Sequence, residues 1–571
     1  MKNRSDSLKT IGLVVEDSFT DFSKEVIHSV AHAMIGRPDF RLVVVAGRYD
    51  GSEDPADKKH QYNLVYNTIY QLESDCQFDG MILTIPGAEG LLHGLDPKIP
   101  KVFVALEREG ETTVNYDNET GIREAIEYLV NIKGVNKLCM LGGRDDNADA
   151  QKRKDIFKRC LESLNLTFDE NCYEPSEMNI ASEAASKALL DRNPGVQAVF
   201  CVNDQTAFGL YQEMKRRGIV PGRDVYVFGF DNTQMAGDMI PPLASVGSAE
   251  ITLGQRAIEL LMMKMNGKEV ESATVPTRLY GRESLRYDMY QYTAMEMLTA
   301  DHDFIYRMFD DCFYRYKNEI IEPGAINLRR LFFEFISRML QAKKNRFMSE
   351  ETFWELAELI EIFFDNGAMM YTDANKFVQS LGRLQGAMNV DQNSIYINHK
   401  NNRLFSMARD HAIRSQFIRR NTESRHVNNG RNRIFDFQVE TSGFMDHAPG
   451  DLTTIVENFS RIGLSNAGLF MFSEPYIYDG KKDHKFSDHI DLVCVTRNGE
   501  PYVLPEERRD TALSDIFYRE ELIYEGRGLT AYPLFYGNEV YGFVVCGMTW
   551  QMLNMGEFYA GQLSRCIHMN Q

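Results

Sequence analysis

Short apolar, β-branched runs alternate over the first 285 positions with longer stretches in which apolar residues recur every three to four places. IGLVV (11–15) precedes a helical period over 21–35, and RLVVVAG (41–47) precedes one over 57–74. GMILTIPG (80–87) and KVFVALE (101–107) follow, and the pattern resumes with KLCMLGG (137–143), QAVFCVND (197–204) and DVYVFGFDN (224–232). Continuous apolar strands between amphipathic helices predict a parallel sheet covered on both faces, and two such series in succession predict two α/β lobes. Ligands bind beyond the carboxyl ends of strands in such sheets. Here those ends carry Glu16 and Asp17, Arg48, Glu107 and Arg108, residues 144–147, Asn203 and Asp204, and Asp231 and Asn232. One polar strand end is a turn or a cap; so many around one cleft point to a ligand site.

After Tyr287 the alternation stops. Helical periods cover 295–316, 328–343, 350–364, 374–384 and 403–420, and Phe332, Phe335, Ile336, Met339 and Leu340 mark a buried stripe rather than a cofactor box. From about Phe435 the texture changes again. A helix over 452–462 leads into NAGLFMF (466–472), IDLVCVT (490–496), the segment 528–547 with a Gly537–Asn538 turn, and a last helix over 555–567. This order predicts an α+β sheet domain. The expected division is therefore 1–286, a helical connector 287–434, and 435–571.

Three segments carry a resemblance. FCVNDQTAFGLYQEMKRRGIVPGRDVYVFGFDN (200–232) resembles the part of the lac-repressor/galactose-repressor family in which an Asn-Asp pair opens a helix, followed by a Gly-x-x-Pro turn and Gly-Phe-Asp. VNYDNETGIREAIEYLVNIKGVNKLCMLGG (114–143) is similar to that family's interlobe crossover, and VPTRLYGRESL (275–285) to its closing strand. The resemblance implies a two-lobed, periplasmic-binding-protein-like type I sensor domain with parallel sheets. It implies that Arg153 grips a ligand hydroxyl or carboxylate, that Asn203, Asp204 and Asp231 face the ligand from the second lobe, and that Asp17, Phe19, Phe22, Glu107 and Arg108 line the first. A planar guanidinium with carboxylates reads hydroxyls in pairs while a ring covers an apolar sugar face, so the expected effector is sugar- or nucleoside-like. The chain departs from the family pattern at Ile156, where a glycine is usual three residues after the arginine.

The family's repressors begin with a helix-turn-helix head. Only ten residues precede the first strand here, so the sensor is expected to lack that element, to report by another route and to reach DNA only through a partner or an unrecognised segment. The segment YPLFYGNEVYGF (532–543) resembles GAF-like domains, which follow such sensors in some bacterial signalling proteins and for which dimerisation is the expected role. An alternative is the sensory half of a diguanylate cyclase or other output enzyme whose catalytic domain is absent. No GGDEF-like turn, kinase glycine loop or phosphate-cradling GxxxxGK occurs.

Composition narrows this further. The chain is 43% hydrophobic and 25% charged, with a formal net charge of −19, which disfavours coating nucleic acid or an anionic membrane through the whole surface. One basic stretch, 400–433, holds nine Lys/Arg against Asp410 and Glu423 and reads as a solvated helix face and connector. Runs such as 42–46 are far too short to span a bilayer and no signal-peptide pattern is present. The nine cysteines form no CxxC, and none of the twelve histidines sits in a ligand spacing; His447 and His489 read as surface residues. The expectation is a cytoplasmic, homodimeric sensor without cofactor or metal, and not an enzyme.

Overall fold

The first lobe is built on strands β1 (Lys9–Val15), β2 (Phe40–Ala46), β3 (Gly80–Leu83), β4 (Lys101–Val104) and β5 (Thr113–Tyr116). The second holds β6 (Leu138–Leu141), β7 (Tyr173–Glu174), β8 (Ala198–Cys201), β9 (Tyr226–Phe230) and β10 (Ala244–Ser248). The structure is a computed structural model. It describes residues 8–570 except 36, 49–56, 73–75, 77, 86–95, 146, 288–293, 300, 319–325, 390–394, 443–465, 481–484, 498–499 and 523–527, with side chains 419–442 also set aside.

Both lobes are parallel, as the apolar runs predict: β1 pairs with β2 and β3, and β6 and β9 both pair with β8. Chain crosses between them three times. The Asn118–Glu127 helix leaves β5 for the second lobe, the Leu253–Met265 helix returns to pack on the Asp21–Ala33 helix, and β11 (Ala273–Val275) and β12 (Thr277–Tyr280) add one strand to each sheet. These crossings are tied to one another, since the Asp117 amide donates to the Val275 carbonyl and the Ala249 amide to that of Pro276, both at 2.8 Å.

The helical unit that follows has its own core around Phe309, Phe313, Phe332, Phe353, Phe363 and Phe377. The period predicted over 295–316 is broken: Asp301 accepts the Phe304 amide at 2.8 Å and caps a second helix, His302–Cys312. The period over 403–420 belongs to a far longer helix, Ile395–Ser442, of 48 residues. It leaves the bundle at Ala412, and beyond it Ile413, Phe417 and Ile418 stand exposed. The basic stretch begins inside the bundle, where Lys400 is buried and pairs with Glu350 at 2.7 Å and Arg403 lies over the Phe353 ring. The expected helix over 452–462 and His447 lie outside the described residues.

The terminal unit consists of β13 (Ala467–Ile477), β14 (His489–Arg497), β15 (Glu500–Val503), β16 (Asp510–Ala512), β17 (Gly528–Tyr536), β18 (Glu539–Gly547) and the Trp550–Asn570 helix, hereafter the terminal helix. Its strands are antiparallel, and Gly537, at φ 59°, makes the predicted turn. The expected separate sheet is corrected, however. β17 pairs in parallel with β2, Leu42 opposite Gly528 and Val45 opposite Ala531. One sheet therefore runs β11-β5-β4-β3-β1-β2-β17-β18-β13-β14-β15, with β16 on β14. A single apolar layer joins Val43, Val45 and Phe103 of the first lobe to Phe470, Leu529 and Phe543. Each of these strands is apolar enough to be buried alone, so the pattern did not reveal which edge β17 would take.

Among the described residues no helix is long and apolar enough to cross a membrane, and no group of three or more His, Cys, Asp or Glu could hold a metal ion. The cysteines are free and buried, and His489 is an exposed residue beside Asp510.

A fragment ending at residue 286 leaves β2 as a bare edge beside the uncovered Val43, Val45 and Phe103. Such edges template aggregation. We expect this fragment to aggregate, or to bind hydrophobic dye strongly, under conditions in which the full chain is monodisperse. A monodisperse, dye-negative fragment in light scattering would contradict a shared sheet.

Candidate functional site

Between the lobes, charged side chains converge on Arg153. The Ala148–Ser163 helix, capped by the Asn147 side chain on the Ala150 amide, delivers Arg153 from its second turn. The guanidinium is buried. Its Nε donates to Asn118 Oδ1 at 2.9 Å and Nη1 to the Val202 carbonyl at 2.7 Å, while Nη2 lies 3.8 Å from Asp231 Oδ1. The Phe230 ring lies beneath it, 3.6 Å from guanidinium carbon to centroid, and Tyr116 meets the other side of that ring with centroids 5.6 Å apart. Cation–π contact and two fixed acceptors hold the fork in one plane. Arg153 thus ties the crossover to two strand ends of the second lobe.

Facing it from the first lobe is Glu25, a half-buried residue of the Asp21–Ala33 helix with no hydrogen bond or ion pair among the described residues. Burial, with the nearby charges of Asp231, Asp204 and Asp21, pushes its carboxyl up to about 8. Arg315 of the helical unit opposes that rise. Asp231 is pushed up to about 6, chiefly by burial and against the pull of Arg153. Its backbone is in the left-handed region, φ 96°, as is that of Asn232, φ 51°, conformations that cost of order 1–3 kcal/mol and that surrounding contacts must hold. Sequence reasoning passed over Glu25, Tyr116 and Asn118. The i,i+4 spacing of Asp21 and Glu25 on one helix face was the signal available for Glu25.

The other expected site residues divide. Glu107 is exposed and ion-pairs with Lys152, bridging first lobe to second. Arg108 lies over the Phe103 ring at 5.4 Å, and Phe22 packs against the first-lobe core. Asp17 is buried and its Oδ1 accepts the Phe19 and Thr20 amides at 2.9 and 2.7 Å, which makes it a turn-forming residue. Phe19 points away from Arg153, toward the terminal helix, with Arg48 over its ring. Asn203 caps the Asp204–Arg216 helix through Thr206 and donates to the Met178 carbonyl at 2.9 Å.

Asp204 is fully buried, and both its oxygens are taken by its own lobe. The Thr233 amide and hydroxyl reach one at 2.8 and 3.0 Å, and the Ser245 hydroxyl reaches the other at 2.6 Å. It staples the ends of β8, β9 and β10 together and offers no free oxygen. Burial and the neighbouring Asp231 push it up to about 7.

From this staple a chain of bonds leads out of the lobe. Ser245 Oγ accepts the Asn232 amide, and Asn232 Oδ1 accepts from Arg282 Nη2. Arg282, at the end of the closing strand, is buried. It donates to Asp373 Oδ2 from Nε at 2.7 Å, to the Leu243 carbonyl at 2.7 Å and to the Tyr314 hydroxyl at 2.8 Å. Asp373 and Tyr314 belong to the helical unit, and Arg315 Nη1 adds a bond to Asp373 at 3.3 Å. Burial raises Asp373, but Arg282 and Arg315 together hold its carboxyl well below the usual carboxylate range.

Known proteins resemble this half of the chain. Residues 126–285 match the family model of a periplasmic binding protein-like domain. This segment of the two-lobed half is periplasmic-binding-protein-like. It is similar to the HTH-type transcriptional repressor PurR of Vibrio atlanticus (strain LGP32), 26% identical over 276 residues, which is 47% of this chain and 78% of that repressor. The PurR of Vibrio cholerae serotype O1 (strain M66-2) is 27% identical over 278 residues, 47% of this chain and 77% of its own. Two solved structures align over the same half. The transcriptional regulator CelR–cellobiose complex has a TM-score of 0.42 and 23% identity, covering 49% of this chain and 86% of that one. The Lac repressor bound to ONPG in the repressed state has a TM-score of 0.41 and 19% identity, covering 50% and 86%. These relatives are repressors and regulators.

The raised carboxyls give this domain a pH dependence of definite sign. Folded Glu25, Asp204 and Asp231 keep protons that the unfolded chain has released above about pH 4, so stability falls as pH rises from about 5 to about 8. Asp373 acts oppositely, and its contribution is lost below about pH 4. The melting temperature without ligand is expected to decline over pH 5–8, and Glu25→Gln to flatten the upper part of that decline. Calorimetry showing the wild-type slope in the variant would remove Glu25 from the cluster.

Proposed function

We propose that the chain is a cytoplasmic, ligand-gated regulator of the transcriptional-repressor kind, in which a sugar- or nucleoside-like effector closes the lobes over Glu25, Tyr116, Arg153 and Asp231. One observation carries this reading: each lobe is locked to a different part of the second half. The first continues into the terminal sheet through β2 and β17, and the second grips the helical unit through Arg282 and Asp373. Lobe closure then displaces the helical unit against the terminal unit, with the Ile395–Ser442 helix, which packs on the terminal helix, running from one to the other.

Swinging such a switch from 1:99 to 99:1 takes a differential affinity of about 5.5 kcal/mol. Bonds to charged groups contribute roughly 1.5–3 kcal/mol each, so two or three made only in the closed state suffice. The Asp231 carboxylate suits a ligand hydroxyl or amine donor, and the Glu25 carboxyl, held largely protonated at neutral pH, can donate to or accept from a ligand hydroxyl. The terminal unit serves as a GAF-like assembly domain. The exposed Ile413, Phe417 and Ile418 favour a homodimer formed along the long helix.

A metabolite thermal-shift screen on the full chain tests the cleft. Asp231→Asn is expected to lose at least tenfold in affinity for the hit at unchanged fold. Asp204→Ala is expected instead to destabilise the free protein, because three donors lose their acceptor at a cost of about 1–3 kcal/mol each. A hit whose affinity ignores Asp231→Asn would place binding elsewhere. Coupling is read by hydrogen exchange at saturating ligand: in Arg282→Met, bound ligand should no longer alter protection in the helical unit, whatever the loss of affinity through the Asn232 turn that Arg282 also holds. Wild-type changes in that variant would contradict the route through Arg282.

The dimer is tested separately. Phe417→Glu should convert a dimer to a monomer in light scattering at micromolar concentration. A variant that stays dimeric would exclude this helix face as the interface.

A further inference from the structure

A second cavity, of about 940 Å³, opens where the first lobe meets the terminal unit, away from Arg153 and Asp231. Its walls are the Lys58–Tyr66 helix, the β17–β18 turn and the outer face of the terminal helix. Aromatic rings line it in an ordered way. Tyr62 packs on Phe535 with centroids 5.0 Å apart, and the Arg48 guanidinium lies 5.3 Å over Phe19 and 5.9 Å over Tyr62. His568 stacks on one side of Tyr536, centroids 4.1 Å apart, yet Phe19, Tyr62 and Tyr536 stay 47%, 36% and 45% exposed, so each ring keeps surface open to an occupant. At Gly561 the helix surface is bare: a Cβ there would meet no heavy atom within 4 Å. The floor is thus a shelf of ring faces beside a vacant helix groove.

The charges point to one sign of ligand. Arg48 is neutralised by Glu557, 2.8 Å away, which also accepts from the Tyr62 hydroxyl. Lys58 and Arg565, on opposite walls, carry no ion pair or hydrogen bond among the described residues. The lining therefore has two uncompensated cations flanking an aromatic shelf. Ring faces stack on flat apolar groups, and a guanidinium with an ammonium holds a phosphate, sulfonate or carboxylate. The volume lies in the range of small-molecule sites.

We propose that this junction is a second effector site, for a flat aromatic ring bearing one anionic group. Such a ligand touches the first lobe and the terminal helix at once and stiffens the connection between them. The site is independent of the interlobe cleft and does not depend on what that cleft binds.

The probe is 1-anilinonaphthalene-8-sulfonate, which has flat rings and one sulfonate, titrated into the full chain and followed by fluorescence. We expect one saturable site. Gly561→Leu fills the vacant groove while adding a better helix former, and is expected to weaken binding at least tenfold. Lys58→Glu combined with Arg565→Glu should do the same, and N-phenyl-1-naphthylamine, which lacks the sulfonate, should bind at least tenfold more weakly than the sulfonate to the wild type. Glu25→Gln should leave the titration unchanged, which separates this site from the cleft. No saturable binding, or wild-type affinity in both the groove-filled and the charge-reversed variants, overturns the proposal.

Discussion

The parallel pairing of β2 with β17 is the constraint on which the rest of the molecule depends. A strand such as FRLVVVA has no polar face to turn to water, and with β1 on one side only, its other edge would stand open. β17 closes that edge across nearly 500 residues of sequence, and the price is that the terminal unit can no longer move independently of the first lobe. The cover is structural and mechanical at once. It fuses two units that composition and motif describe as separate, and it makes every motion of the first lobe a motion of the terminal helix.

The second lobe is attached by different means. Arg282 and Asp373 form a buried ion pair, and such pairs barely repay the desolvation of their charges. Its value lies elsewhere. With Tyr314, Arg315, Asn232 and the Leu243 carbonyl around it, the guanidinium is satisfied in one geometry only, so the helical unit is docked on the second lobe in one register. Losing either partner would strand a buried charge, which is far costlier than losing the pair. The same guanidinium also holds the left-handed turn at Asp231 and Asn232, one residue from the carboxylate that faces Arg153. Docking and ligand cleft therefore share a loop.

Much of this was legible in the sequence, and what was not has a physical reason. Periodicity placed the strands of both lobes, because parallel strands buried on two faces read as continuous apolar runs. Family-like segments drew attention to Arg153 and Asp231, which the fold brings together between the lobes. They did not reveal that Asp204 is bonded to Thr233 and Ser245, since a carboxylate facing a ligand and one stapling three strand ends look alike as an Asn-Asp pair. Phe19 went astray because its destination, the terminal helix, lies more than 500 residues away in sequence. Glu25 was hidden inside an ordinary amphipathic helix. Contacts between units are the common factor: local pattern specifies an element and its buried face, but not which distant edge will cover it.

That division also bears on how a signal travels. Each lobe carries one half of the remaining chain, so in the proposed switch a hinge rotation at the tied crossovers would be relative motion of the two halves. The Ile395–Ser442 helix spans about 72 Å at 1.5 Å per residue, so each degree of rotation moves its far end by about 1.3 Å. Its first turns are fixed in the helical core by Ile397, Leu404 and Phe405, and farther along it packs on the terminal helix. In the proposed switch, a lever held by one body and resting on the other would convert a small closure into sliding of helix on helix. Sliding of that kind proceeds by discrete repacking rather than by continuous strain, because packed side chains have few alternative registers. In the proposed switch the junction between first lobe and terminal helix would set the resistance to closure, and the aromatic shelf at Tyr62, Tyr536 and Gly561 lies on that junction.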